Sequence, residues 1–217
     1  MILYATPVSS YSAKLRIVLV NKNVPFEERM PPGGYKSEAY RAIVPMGTLP
    51  AIDDDGFVLL ESEAIAEYLE ERFPEPRMLP VSARDRAVSR FLSRFHDLHL
   101  EPAVRALFGH VAPGKRDASV VAARAADIRL RVAQLAAQCR PRPYLAAEFL
   151  TLADCGPAIT IPLAQMLLSA MGEQLELPPA LAAWHKVVQD HPSVKQVCAP
   201  WRAATEGWIA AQLGAST

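Results

Sequence analysis

Cysteine is scarce in this chain. Three of 217 residues, Cys139, Cys155 and Cys198, carry a thiol, and they lie far apart with no Cys-x-x-Cys pair, which excludes a disulfide framework and a cysteine-based metal site. An odd, sparse count fits a reducing compartment, so a cytoplasmic location is expected. Net charge is missing too: 23 Lys and Arg balance 23 Asp and Glu. Residues 1–80 hold eight basic against twelve acidic side chains and the remainder fifteen against eleven, a split too modest to make nucleic acid the main partner. No uninterrupted apolar run reaches the roughly 18 residues of a membrane span. Met1 to Ala5 shows neither a basic leader nor an apolar block, so no signal peptide is expected. Internal repeats and low-complexity tracts are absent.

What is present is a chain rich enough in apolar side chains, 51%, to build a packed core. Ile2 to Ala5 reads as a buried strand stopped by Thr6-Pro7. Leu15, Val18 and Leu19 mark a helix that Asn21-Lys22-Asn23 and Pro25 end. Phe26 to Met30 predicts a second strand, Pro31-Pro32-Gly33-Gly34 a loop, and Tyr35 to Ile43 a short helix. Two apolar runs, Leu49 to Ile52 and Phe57 to Leu60, flank Asp55-Gly56, a pair suited to the positive φ of a hairpin turn. The second run passes into Ser62, a good N-cap, with Glu63 in the first turn and Ile65, Tyr68 and Leu69 along one face. The resulting order, β-α-β-α-β-β-α, is that of a thioredoxin-like domain.

Phe73-Pro74-Glu75-Pro76-Arg77-Met78-Leu79-Pro80 then breaks the pattern with three prolines, and a linker is expected from about Pro74 to Ala83. Strand signals cease beyond it. Residues 84–110 predict a long amphipathic helix with Phe91, Phe95 and Leu98 on one face, bent or divided at Pro102. Residues 118–138 follow with Ile128, Val132 and Leu135 at helical spacing, and Thr151-Leu152-Ala153-Asp154 has the form of a capping box before an apolar run to Met171. Leu181, Trp184 and Val188 mark another helix. The expected fold class is α/β plus all-α, with a domain at 1–79 and an all-helical one at 84–217.

Pro45-Met46-Gly47-Thr48-Leu49-Pro50, followed by Glu61-Ser62-Glu63-Ala64-Ile65, resembles the glutathione-binding half of the cytosolic glutathione transferases. The resemblance implies a cis peptide bond before Pro50, in the X–Pro position where that form is least costly, with Leu49 presenting its backbone to glutathione and Met46, Gly47 and Thr48 shaping the loop. It assigns Glu61 and Ser62 to the γ-glutamyl end. The chemistry agrees, because free N–H groups at a helix start suit a carboxylate and the Glu61 side chain suits an ammonium. The turn Tyr144 to Glu148 ahead of the capping box is similar to that family's as well, but lacks its glycine. His191-Pro192-Ser193-Val194 resembles the family's closing turn.

A free thiol, of pKa about 8.5, is mostly protonated at neutral pH, so glutathione must be activated by stabilising its thiolate. A hydroxyl donor at a helix N-terminus does this, and the loop Pro7 to Ser12 supplies Ser9, Ser10, Tyr11 and Ser12. Ser9-Ser10-Tyr11-Ser12-Ala13-Lys14-Leu15-Arg16-Ile17 resembles the Ser-Ser-Cys-Ser-x-Arg-x-Arg-Ile run of zeta-class transferases. The likeness points to Ser9 as the catalytic group and Ser10 as the alternative, both also glutathione-binding. Tyr11 in place of the zeta cysteine, and Lys14 in place of an arginine, weigh against zeta-type isomerisation. Tyr4 lies inside the strand rather than at its exit. The same serines serve equally well as turn and cap residues.

The resemblance implies a basic residue near the glycine carboxylate of glutathione, a role for which Lys36 is the candidate, although a lysine after the Gly33-Gly34 loop is more often simply solvated. Tyr11, Phe95, His99 and Phe108 are candidates for the second-substrate pocket, with Arg94, Leu98 and Arg105 from the same segment, although aromatics at helical spacing more often pack a core. His96-x-x-His99 lacks a third ligand, so no metal is expected. The resemblance thus implies a glutathione transferase acting on a small hydrophobic or halogenated electrophile, as a homodimer, with glutathione as co-substrate and neither nucleic acid nor membrane as partner. Glutathione-dependent isomerisation or dehalogenation is one alternative. A non-catalytic binding or regulatory protein on the same scaffold is the other.

Overall fold

A computed structural model describes residues 1–214. Four strands, β1 (Ile2–Tyr4), β2 (Glu27–Arg29), β3 (Ala51–Asp54) and β4 (Phe57–Leu60), form one sheet in the order β2-β1-β3-β4. β1 runs parallel to β2 and antiparallel to β3, and β3 pairs with β4 as a hairpin. The parallel pair needs a crossover, supplied by α1 (Ser10–Asn21), while α2 (Glu38–Arg41) and α3 (Ser62–Arg72) complete the thioredoxin-like unit. The second strand is shorter than its apolar signal, because Met30 is exposed and all three paired residues face solvent. At the hairpin both Asp55 and Gly56 have positive φ, and Asp53 Oδ1 accepts the Gly56 N–H at 2.7 Å.

The helical half consists of α4 (Ala83–Phe95), α5 (Glu101–Arg105), α6 (Ala118–Gln138), α7 (Leu152–Cys155), α8 (Pro157–Ala170), α9 (Pro179–Asp190) and α10 (Pro192–Gly214). Between α4 and α5 the chain makes a π-helical turn, His96–Leu100, in which the Glu101 N–H reaches back to the His96 carbonyl. Pro102, which has no N–H to give, follows at once, so the expected division falls at this turn. Of the expected apolar face only Phe95 is buried: Phe91 is 46% exposed and Leu98 56%, whereas Ser89, Leu92, Ser93 and His96 are buried, with Ser93 bonding Glu63 and His96 bonding Thr160 across the molecule.

The linker is held rather than loose. Lys22 Nζ, at the end of α1, bonds the Phe73 and Pro76 carbonyls at 2.7 and 3.1 Å and pairs with Glu70 at 2.6 Å. Glu70 in turn accepts the Met78 and Leu79 N–H groups. One apolar cluster runs from Leu3, Leu15 and Ile65 through Leu92 and Ile128 to Ile161, Trp184 and Trp201, so sheet and helices share a core. Residues 152–170 are long and apolar enough to cross a membrane by length and composition, a stretch not apparent as a single run in the sequence, and most of it is buried in that core. Cys139, Cys155 and Cys198 are buried and free.

The capping box has the expected form and reaches further. Asp154 is wholly buried; its carboxylate accepts the Thr151 N–H and hydroxyl at 2.8 and 2.7 Å, the Leu145 N–H at 2.8 Å and the Trp184 indole N–H at 2.8 Å. One carboxylate therefore joins the 144–151 turn, α7 and α9. Asp154→Ala strands four buried donors, and urea unfolding is expected to show a loss of about 3 kcal/mol or more.

Candidate active site

The sheet edge and the α4–α5 helices enclose a cavity of about 320 Å³, lined by Tyr11, Tyr35, Thr48, Leu49, Pro50, Glu61, Ser62, Arg94, Asp97, Leu98 and Arg105. The bond between Leu49 and Pro50 is cis. The loop before it is pinned from behind, where the Tyr40 hydroxyl donates to the Thr48 carbonyl at 2.8 Å and its ring packs 5.6 Å from that of Tyr4. Across the cavity, α3 begins at Ser62. The N-cap position falls to Glu61 and not to Ser62, and Glu61 has φ +68° and supplies no capping hydrogen bond. A glutamate in the left-handed region is uncommon. Here it leaves Glu61 exposed at the cavity wall and the buried Ser62 in the first turn, where helix N–H groups lack partners within the helix.

Tyr11, on the first turn of α1, donates its hydroxyl to the Asp97 carbonyl at 3.2 Å. Burial first, and then the Glu101 and Asp97 carboxylates, push its pKa well above the ordinary tyrosine range, so the phenol keeps its proton. Ser9 is the N-cap of α1, its oxygen accepting the Ser12 N–H at 3.2 Å. Its own proton stays available. Ser10 is buried and gives its hydroxyl proton to Glu101 in a short hydrogen bond.

Behind the cavity lies a chain of buried charge. Lys14 Nζ is 2.7 Å from Glu63 and 3.0 Å from both oxygens of Asp97. Burial alone would lower the Lys14 pKa, but Asp97 and Glu63 outweigh it and raise it. Burial likewise works against ionised Asp97, yet the His96 hydrogen bond and the Lys14 charge bring its pKa down to about 2. His96 Nδ1 lies 2.7 Å from Asp97, and Nε2 lies 2.7 Å from the Thr160 hydroxyl, which donates to Glu101. With that proton committed, Thr160 accepts from Nε2, so both ring nitrogens are placed as donors. The imidazole fits only because residue 156 is glycine: a Cβ there would lie 2.4 Å from His96 Nδ1.

Of the residues singled out from the sequence, Thr48, Leu49, Pro50, Glu61, Ser62 and Tyr11 come together on one cavity, joined by Arg94, Leu98 and Arg105. Ser9, Ser10 and Lys36 do not line it. Lys36 sits beside it, its Nζ 5.2 Å from the ring of the lining residue Tyr35. Phe95 is buried in the core, with its ring 5.2 Å from the exposed His99, and Phe108 packs against Trp208 at 5.4 Å. These three are not brought to the cavity. Tyr35 and Asp97 are lining residues that sequence reasoning missed. Asp97 had a signal, since Ser89, Ser93 and His96 form a polar stripe at helical spacing within an otherwise amphipathic segment. Among the described residues no cluster of three or more His, Cys, Asp or Glu is placed to hold a metal.

Residues 3–77 match the family model "Glutathione S-transferase, N-terminal domain". Glutathione S-transferase 2 of Saccharomyces cerevisiae is 29% identical, covering 91% of this chain and 89% of the yeast protein. A stringent starvation protein A homolog of Pasteurella multocida is 32% identical over 71% of this chain and 70% of its own. The holo structure of a maleyl pyruvate isomerase, a bacterial zeta-class glutathione S-transferase, superposes with a TM-score of 0.75 at 27% identity, over 92% of this chain and 97% of the other. The chain belongs to the cytosolic glutathione S-transferase superfamily. Within it the structure resembles zeta and bacterial members, and the protein is an enzyme of the glutathione-binding transferase or isomerase type.

Lys14→Met leaves the buried Glu63 and Asp97 without their cation and is expected to destabilise the fold by about 3–5 kcal/mol in chemical denaturation. The Asp97 shift has a defined sign. Its folded pKa of about 2 lies below its ordinary 3.8, so its stabilisation is present above pH 4 and lost as pH falls towards 2. About 2 kcal/mol of stability should disappear across that window, and an Asp97→Asn protein should lack this part of the acid limb.

Proposed function

We propose that this enzyme is a glutathione transferase whose residues 1–79 bind glutathione and whose residues 84–217 contribute the electrophile pocket; residues 215–217 lie outside the described residues. The carrying observation is that a single cavity gathers the 48–50 loop, the Glu61-Ser62 helix start and the first turn of α1. In this reading the γ-glutamyl carboxylate meets the N–H groups and hydroxyl at Ser62, its ammonium meets Glu61 and Asp97, and Leu49 offers its backbone to the cysteinyl unit. Lys36 is the cation for the glycine carboxylate. Ser9, with an uncommitted hydroxyl proton at the N-terminus of α1, stabilises the thiolate. The thiolate then attacks an electrophilic carbon of a small halogenated compound, forming a C–S bond as halide leaves.

Glutathione-dependent isomerisation is the second reading, favoured by the likeness to a maleyl pyruvate isomerase. Assays with an aryl halide and with cis-unsaturated dicarboxylates separate the two. We propose a homodimer, since Phe57, Val88 and Phe91 leave apolar surface exposed on β4 and α4; light scattering on the purified protein reports its mass. A cytoplasmic location accords with three free thiols.

Calorimetry is expected to show glutathione binding, weakened roughly ten- to a hundredfold in Glu61→Ala through loss of charge-assisted contacts. Ser9→Ala should lower the turnover of an aryl halide at saturating glutathione. No heat from glutathione or its S-alkyl derivatives would overturn the reading. Full turnover in the serine variant would remove Ser9 from the role.

A further inference from the structure

We propose that Arg105 is a second catalytic group, a guanidinium that lies against the glutathione sulfur and holds it as the thiolate. The proposal rests on glutathione occupying the cavity described above. At the start of α1, where the sulfur is expected, most side-chain protons are already committed. The Ser10 proton is given to Glu101 and the Tyr11 proton to the Asp97 carbonyl. Lys14 is consumed by two carboxylates. Ser9, Ser12 and Arg105 keep donors to offer, and of the three only Arg105 lines the cavity.

Arg105 is both positioned and under-used. Its guanidinium carbon stands over the Tyr11 ring at 5.0 Å from the centroid and over the Phe108 ring at 5.4 Å, cation–π contacts that hold the group at the cavity. Its Nε is 3.1 Å from Glu101 Oε1 yet has no hydrogen-bond partner, and one terminal nitrogen makes a long 3.4 Å contact to the Ser10 hydroxyl. Glu101 is turned towards Ser10 and Thr160, whose hydroxyls both donate to it. The pair is therefore held together by charge alone, and N–H groups of the guanidinium remain free for an anion. The other cavity cation, Arg94, is half exposed and stands 4.0 Å from Asp97 rather than against the first turn of α1.

At the Tyr11 hydroxyl, Arg105 is the charge that favours an anion, and Glu101, Asp97 and Glu61 oppose it. Glu101 is wholly buried behind Arg105, and Asp97 is matched by Lys14 and His96. The step itself is a deprotonation: the S–H bond breaks, its electron pair stays on sulfur beside the guanidinium, and the proton passes to bulk water. No bond to carbon forms until the electrophile arrives.

The test reads the thiol directly, by titrating the ultraviolet absorbance of enzyme-bound glutathione without any electrophile. In the wild-type protein the bound thiol is expected to titrate below its solution value. Arg105→Met, which keeps aliphatic bulk between the two rings and removes the charge, is expected to raise that pKa by about one unit. Arg105→Lys should retain most of the depression, a rescue that a merely structural role would not give. A methionine variant that titrates like wild type overturns the proposal and leaves the transferase reading with Ser9 standing, whereas an unshifted wild-type thiol overturns the Arg105 and Ser9 roles together. Should the methionine variant not fold, a lysine variant whose bound thiol titrates at the solution value overturns it as well. A wild-type protein that binds no glutathione overturns both readings together.

Discussion

The ion triad of Lys14 with Glu63 and Asp97 is the contact on which the arrangement of this molecule depends. One ammonium on α1 meets a carboxylate from α3 and another from the π-helical turn after α4, so a single side chain ties sheet unit to helical unit where the cavity opens. Buried ion pairs repay desolvation only when every lone pair finds a donor. Asp97 meets that condition, with His96 completing it, whereas Glu63 receives Lys14 and Ser93 on one oxygen and has no partner on the other. What the triad contributes above all is register, since two helices carrying opposite charge cannot slide by a turn without leaving a charge unpaired.

From that anchor the polar chain continues through His96 and Thr160 to Glu101 and ends at Ser10 and Arg105. It runs behind the cavity from one side to the other. The groups facing inward, Tyr11, Asp97 and Arg105, thus take their orientation from side chains that never reach solvent. The opposite wall is organised differently. Leu49, Pro50 and Glu61 owe their positions to backbone geometry, a cis bond and a left-handed glutamate. Rigid backbone presents one half of the site and a charge-locked set of side chains the other.

The wall built from backbone was legible in the sequence because proline, glycine and helix-start residues follow one another over a few positions, and local chemistry suffices to read them. Strand order, the hairpin at Asp55-Gly56 and the box at Thr151 to Asp154 were legible for the same reason. The other wall was not. Phe91 and Leu98 have the spacing of a core face and lie exposed, while Ser89, Ser93 and His96 are buried. Periodicity assigns apolar residues to the interior, and it fails where buried polar groups such as Ser93 and His96 find partners tens of residues away, at Glu63 and Thr160. Phe95 and Phe108, whose spacing suits core packing as well as a pocket, take the core reading. Asp97, whose meaning depends on Lys14 83 positions earlier, was not among the pocket candidates.

Gly156 carries a consequence beyond its own contact. The His96 ring occupies the space where any other residue would place its first side-chain carbon, so the C-terminal half holds a mould for one imidazole, and the middle of the chain supplies the casting. Exchanging helical halves between relatives, or letting them drift apart over generations, is free only while this mould and the lysine on the first helix change in concert. Diversity in this lineage should accordingly gather on the open rim of the cavity and spare its hidden hinge of glycine and histidine.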